Sequence, residues 1–154
     1  MSKLNERLDA LRKLVQSQDF LNGKGLSNEV NIRIFCYHPK DEMAVRHFTE
    51  KLTEGVGTGC RIIEYNLYQV FLAICEDKRI ADKIPDLENK KGHTFVLGHL
   101  ARIANNLAFI EKMKAESHNV GDVILITGVG EAFPFIRIHA LLDAMQSHFS
   151  DVPV

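Results

Sequence analysis

The sequence has few marks of specialised chemistry. Its three cysteines, Cys36, Cys60 and Cys75, lie far apart, and none forms a Cys-x-x-Cys pair. An odd count suits no closed disulfide set, so all three read as buried structural thiols. The seven histidines give no His-x-x-x-His pair and no Cys/His cluster at zinc spacing, so no metal site is expected. No apolar run approaches a membrane span, and Met1–Val15 is charged and amphipathic where a signal peptide would carry an apolar core. The expected setting is the cytoplasm. Neither sign of charge dominates: 19 Lys and Arg oppose 20 Asp and Glu, for a formal net charge of -1. That balance argues against a protein that binds nucleic acid mainly by electrostatics. The basic pairs Lys78-Arg79 and Lys90-Lys91 lack the interleaved aromatics that stack on bases, and they read as solvated surface.

Catalytic signatures are missing as well. No glycine-rich cradle ends in Gly-Lys-Ser/Thr, and no Gly-x-Ser-x-Gly elbow occurs. The carboxylate pairs Asp41-Glu42 and Asp86/Glu88 are explained by helix polarity and by a solvated loop. No catalytic residue and no cofactor is assigned, and a non-enzymatic role is expected.

What is present is the grammar of an α/β protein. The 154 residues, 45% of them hydrophobic, suffice for one compact domain over 1–154. Leu4, Leu8, Leu11 and Val15 mark an amphipathic N-terminal helix that stops before Asn22-Gly23-Lys24-Gly25. Val30–Tyr37 predicts a first strand with Val30, Ile32, Ile34 and Cys36 on its buried face. Pro39 then opens a helix whose stripe is Val45, Phe48 and Leu52. Cys60–Tyr65 predicts a second strand, and Asn66 with Gln69 has the form of a capping box for the helix of Leu67, Val70, Phe71 and Ile74. Arg79–Lys91 reads as a polar connection holding a short helix. Val96, Leu100, Ile103, Leu107 and Ile110 predict one long helix running toward Ser117.

The most informative stretch is Asp122–Gln146. Asp122–Thr127 is a β-branched, aliphatic strand that enters Gly128-Val129-Gly130, a tight turn. Pro134 stands where a helix's first turn tolerates it, and Ile138, Leu141, Leu142, Met145 and Phe149 follow at helical spacing. Alternating strands and helices predict a small, mostly parallel sheet of three to four strands with helices on both faces, a Rossmann-like three-layer α/β fold. Ser150–Val154 looks like the approach to a further strand, so a C-terminal strand and tail are expected to be lacking. An edge left unpaired there would suit an added chain.

In such a sheet the C-terminal edge gathers His38, Lys40, Asp41, Asn66, Gly128, Gly130, Glu131, Pro134, Arg137 and His139. These are the candidate partner- or anion-binding residues. The competing reading is that His38 and Asn66 cap helices, the glycines serve packing, and the charges face water. Gly128-Val129-Gly130 lacks the third glycine of the dinucleotide fingerprint and follows the third strand, not the first.

Two blocks resemble a known family. Gly25-Leu26-Ser27-Asn28-Glu29-Val30 running into Ile34–Glu42 is similar to the N-terminal half of the BrxB proteins of BREX bacteriophage-defence systems. Leu125–Gly130, then Phe133-Pro134-Phe135-Ile136-Arg137, His139 and Leu142, resembles that family's most recognisable segment. The resemblance runs from roughly Leu4 to Pro153. It implies a small cytoplasmic component of a multi-protein system that marks host DNA by methylation and blocks phage replication. It also implies a protein partner, with PglZ, the phosphatase-superfamily member of these systems, named first. Proteins of this family usually continue past the point matching Val152–Val154, so the resemblance implies a truncated form. The expected function is a non-enzymatic adaptor in a BREX-type complex, with a homodimer left open. The alternative is a degenerate nucleotide- or phosphate-binding domain that uses the Gly128–Arg137 junction.

Overall fold

The computed structural model describes residues 2–22, 31–55, 59–119, 121–149 and 152–154. The glycine stop at Gly23–Gly25, the expected strand start at Val30 and the resemblance block 25–30 lie outside them. The chain divides into two compact units: Met1–Glu64 with His118–Leu125 and Phe149–Val154, and Tyr65–Ser117 with Ile126–His148.

The first unit holds three helices among the described residues, two of them long. α1 (Lys3–Gln16) begins where Ser2 accepts from the Asn5 amide at 3.3 Å. Ser17 ends α1, donating from its hydroxyl to the Leu14 carbonyl at 2.8 Å, and starts α2 (Gln18–Leu21) by accepting from the Phe20 amide. A 3-10 turn, Pro39–Asp41, leads into α3 (Glu42–Thr53). Leu8 and Val15 of α1 and Val45, Phe48 and Leu52 of α3 bury the stripes their spacing predicts, together with Phe20, Ile62 and Val123. Side chains of this size each contribute about 1.5–3 kcal/mol by leaving water.

The second unit is helical. α4 (Leu67–Asp77), α5 (Ile84–Lys91), α6 (His93–Ile103) and α7 (Asn106–Lys114) are followed by the one-turn α8 (Val129–Ala132) and by α9 (Ile138–Met145). α4 packs on α7 and α8, α5 on α6, and α7 on α9. The buried Tyr65 hydroxyl donates to the Met113 carbonyl at 2.7 Å and so ties the segment before α4 to α7. Phe71 and Phe135 stack face to face, with ring centroids 4.2 Å apart and 9° between planes.

The sheet corrects the expected architecture. Among the described residues it holds two parallel strands, β1 (Ile62–Asn66) beside β2 (Val123–Thr127), where a Rossmann-like layer of three to four strands flanked on both faces by helices was expected. The missing member is the segment expected as the first strand. Among its described residues the backbone pairs with other backbone at the Arg33 amide, which donates to Val154 at 2.9 Å, and at Asn31, which accepts from the Val154 amide at 3.0 Å. Farther along, the Arg7 guanidinium takes the Cys36 carbonyl and lies 4.6 Å from the Phe35 ring. Phe35 therefore turns to the core, while Ile34 is 66% exposed and Cys36 is exposed. Ile32 is half-buried and Arg33 exposed as expected, but from Ile34 to Cys36 the inward face is reversed, and Cys36 is not a buried thiol. Cys75 is buried and Cys60 half-buried, donating weakly to the Val15 carbonyl. The edge imagined as open to another chain is occupied at one point, where the Ile124 amide donates to Pro153 at 2.9 Å.

Two helices also differ from their sequence patterns. The long helix expected after Val96 breaks at Ala104-Asn105. Asn105 donates to the Arg102 carbonyl at 3.1 Å and accepts from the Ala108 amide at 3.0 Å, so one side chain closes α6 and opens α7. The final helix begins at Ile138; Pro134 follows a cis peptide bond between α8 and α9 and opens no helical turn.

Candidate functional site

Two strand ends meet at Asn66 and Gly128. Asn66 ends β1 and caps α4, its Oδ1 accepting from the amides of Tyr68 at 3.0 Å and Gln69 at 3.2 Å. The capping role expected of Asn66 is therefore present. Gly128 ends β2 in the left-handed region, with φ 68° and ψ 20°. A Cβ there would overlap Asn66 Oδ1, with Cγ at 2.8 Å and Nδ2 at 3.0 Å. Both conditions demand glycine: a strained φ for any L side chain, and a carboxamide in the space a Cβ would take. Gly130 differs. It sits inside α8 with open space where a Cβ would go.

Past this turn the side chains face outward. Glu131, Pro134, Arg137 and His139 are exposed, and so are Val129 and Phe133, the latter at 60%. Arg137 stands at the N-cap of α9 without a side-chain capping bond. Neither Arg137 nor His139 has an ion-pair partner among the described residues. Ile136, Leu141 and Met145 fix α9 from below by burial. Between Val129 and His139 the chain thus exposes two apolar side chains, a carboxylate, a guanidinium and an imidazole. As an anion site it has one helical turn behind it in α8, too short for a substantial dipole.

The remaining candidates belong to the first unit. His38 caps the 3-10 turn, its Nδ1 accepting from the Lys40 amide at 3.2 Å, while its carbonyl accepts from the Asp41 amide at 2.8 Å. Lys40 is exposed and Asp41 half-buried. Beside them lies a group the sequence did not single out. Glu42 accepts from Arg46 Nε at 2.6 Å and from the Tyr37 hydroxyl at 2.7 Å. Arg46 first, then Tyr37, holds the Glu42 carboxyl below the usual carboxylate range. The i, i+4 spacing of Glu42 and Arg46 was the available signal.

A second unforeseen pair, also in the first unit, is Arg61 and Asp122. The guanidinium grips the buried carboxylate in two places, Nη2 to Oδ2 at 2.8 Å and Nε to Oδ1 at 3.2 Å. The Asn119 amide adds a bond to Oδ2 at 2.8 Å. Arg61 lowers the Asp122 pKa most, burial opposes it, and the Asn119 amide lowers it further. With the two 61 positions apart, no sequence periodicity could link them. Among the described residues no group of His, Cys, Asp or Glu could hold a metal ion.

Comparison with known proteins places this geometry in a family. The model of the family described as "BREX protein BrxB" matches residues 63–154, which include the whole Asn66–Arg137 junction. A BREX protein BrxB of Bacillus cereus (strain H3081.97) is 34% identical, the match covering 100% of this chain and 83% of that protein. The chain belongs to the BrxB family. A second relative, the BREX protein BrxB of Escherichia coli O9:H4 (strain HS), is 24% identical over 98% of this chain and 76% of its own length. No solved structure matches the chain. Family membership makes it a component of a BREX system, and none of its described helices is long and apolar enough to cross a membrane.

Proposed function

We propose that the chain is a non-enzymatic, cytoplasmic adaptor of a BREX-type phage-defence complex, docking onto a larger subunit of the PglZ kind. The observation that carries this reading is the use made of the junction's polar groups. Asn66 spends its acceptor on two helix amides, and Gly128 is glycine because Asn66 needs its space. What remains for a partner is Phe133 and Val129, with Arg137 and His139 following within ten residues of the chain, all exposed. An aromatic and a guanidinium in one exposed stretch have the composition of a protein-binding hot spot. Similarity along the whole of this chain to a BREX protein supports a multi-subunit setting.

Capture of the tagged chain from cells carrying its own BREX operon tests the reading. Stoichiometric recovery of the PglZ-like subunit is expected, lowered by Phe133→Ser with Arg137→Ala. Recovery of the chain alone would contradict it. The alternative of phosphate or nucleotide binding at the junction predicts calorimetric heat with nucleotide that Arg137→Ala abolishes, whereas the adaptor reading predicts none.

A further inference from the structure

A second surface stands out on α5 and α6, away from the junction in sequence. From Asn89 to Ile110 the chain carries Lys90, Lys91, His93, His99 and Arg102 and no Asp or Glu. The rest of the chain leans acidic, since the whole carries -1. On α6, Phe95, His99 and Arg102 follow at i, i+4 and i+7, so they share one face. Lys91 Nζ lies 5.6 Å from the centre of the Phe95 ring, and the His99 imidazole lies parallel to it, centroids 6.1 Å apart and 8° between planes. The lysine pair read from sequence as plain solvated surface therefore continues into an aromatic stripe. Lys90, Lys91 and Arg102 have no carboxylate partner among the described residues, and Arg102 is bound only through Nε to the Gly98 carbonyl at 3.3 Å. Phe95 and Leu97 are each 42% exposed on a helix that buries Val96 and Leu100.

We infer that the Lys91–Phe95–His99–Arg102 face of α5 and α6 is a docking surface for a protein partner that presents carboxylates around an apolar centre. Charge complementarity sets the partner's sign: the nearby Glu88 carboxylate is held by His93, and the exposed cations Lys90, Lys91 and Arg102 attract an acidic surface and repel a basic one. The ring's setting decides between protein and nucleic acid. With Lys91 over it and His99 alongside, Phe95 offers its edge more than a free face, which suits side-chain packing better than base stacking. The inference rests on the adaptor reading and adds to it a second contact, distinct from the junction.

The test uses the full chain in the assembly it forms with the subunits encoded beside it. A carbodiimide joins a lysine amine directly to a carboxyl it touches, so the complex is captured, treated, digested and read by mass spectrometry. Amide links from Lys90 or Lys91 to Asp or Glu of a co-encoded subunit are expected, disappearing at high salt. Lys91→Glu with Arg102→Glu, both at exposed positions, is expected to weaken that subunit's affinity by about tenfold. Circular dichroism of the variant checks that the helices remain. A recovered subunit linked only through other lysines, with unchanged affinity for the variant, would overturn this surface and leave the adaptor reading standing. Recovery of no subunit would sink the adaptor reading and this surface with it. Recovery abolished by nuclease would replace the acidic protein with nucleic acid.

Discussion

Gly128 and Asn66 show how one residue's role is written in another's. A left-handed backbone costs any other L residue about 1–2 kcal/mol. At Gly128 the overlap with the Asn66 carboxamide adds to that. Gly128→Ala is expected to lower unfolding stability by more than the backbone cost alone. In an Asn66→Gly background, where the cap is weakened by only a few tenths of a kcal/mol, the same change should cost markedly less. Denaturant melts of the four proteins measure the coupling; equal costs in both backgrounds would show that Asn66 is not the reason for the glycine. Asp122 makes a pH prediction. Its folded pKa is depressed, so its ion pair stabilises the fold above the unfolded carboxyl pKa and the contribution fades as pH falls through the folded one. Wild type should lose stability below about pH 4 more steeply than Asp122→Asn, which is already weaker at neutral pH. Parallel slopes in acid would contradict it. Thiol accessibility separates the cysteines: native alkylation should modify exposed Cys36 first and buried Cys75 last, with burial raising the pKa of both Cys60 and Cys75.

At the scale of elements, local chemistry was legible and pairing was not. The stripes of α1, α3 and α4, the Asn66 cap and both strands could be read from spacing, because burial follows helical and strand period directly. The first expected strand failed for a reason outside its own sequence: Arg7 holds the Cys36 carbonyl, and Phe35, not Ile34, finds the core. Alternation gives a period but not which parity faces in. The broken long helix failed differently. Apolar spacing runs on through Ala104, and only Asn105 signals the stop. Asn105→Ala is expected to cost about 1–2 kcal/mol, because it removes a cap from α7 and a donor from the end of α6. A thermal melt unchanged by that substitution would mean the break is set by packing alone. The candidate site was half legible. The sequence named Asn66, Gly128, Arg137 and His139, yet cap and glycine serve each other while cation and imidazole face out. The Arg61–Asp122 and Tyr37–Glu42 bonds join residues whose meeting only the folded chain reveals.

For the whole molecule, membership of a family of BREX proteins, the capping use of Asn66 and two outward apolar-cationic surfaces support the adaptor proposal. The expected Rossmann-like sheet was an argument from grammar, and with two strands among the described residues that argument no longer favours a nucleotide. On the adaptor proposal, docking is where substitutions should act. Changes at Phe133, Arg137, Lys91 and Arg102 should weaken assembly while leaving the melting temperature within a few degrees, since exposed positions contribute about 0.5 kcal/mol or less to stability. The central claim is tested most directly by titrating the purified chain into the purified PglZ-like subunit of its own system, followed by calorimetry and sedimentation. The account predicts a saturable complex of fixed stoichiometry that Phe133→Ser with Arg137→Ala weakens. Two species sedimenting independently, with no heat of mixing, would contradict it.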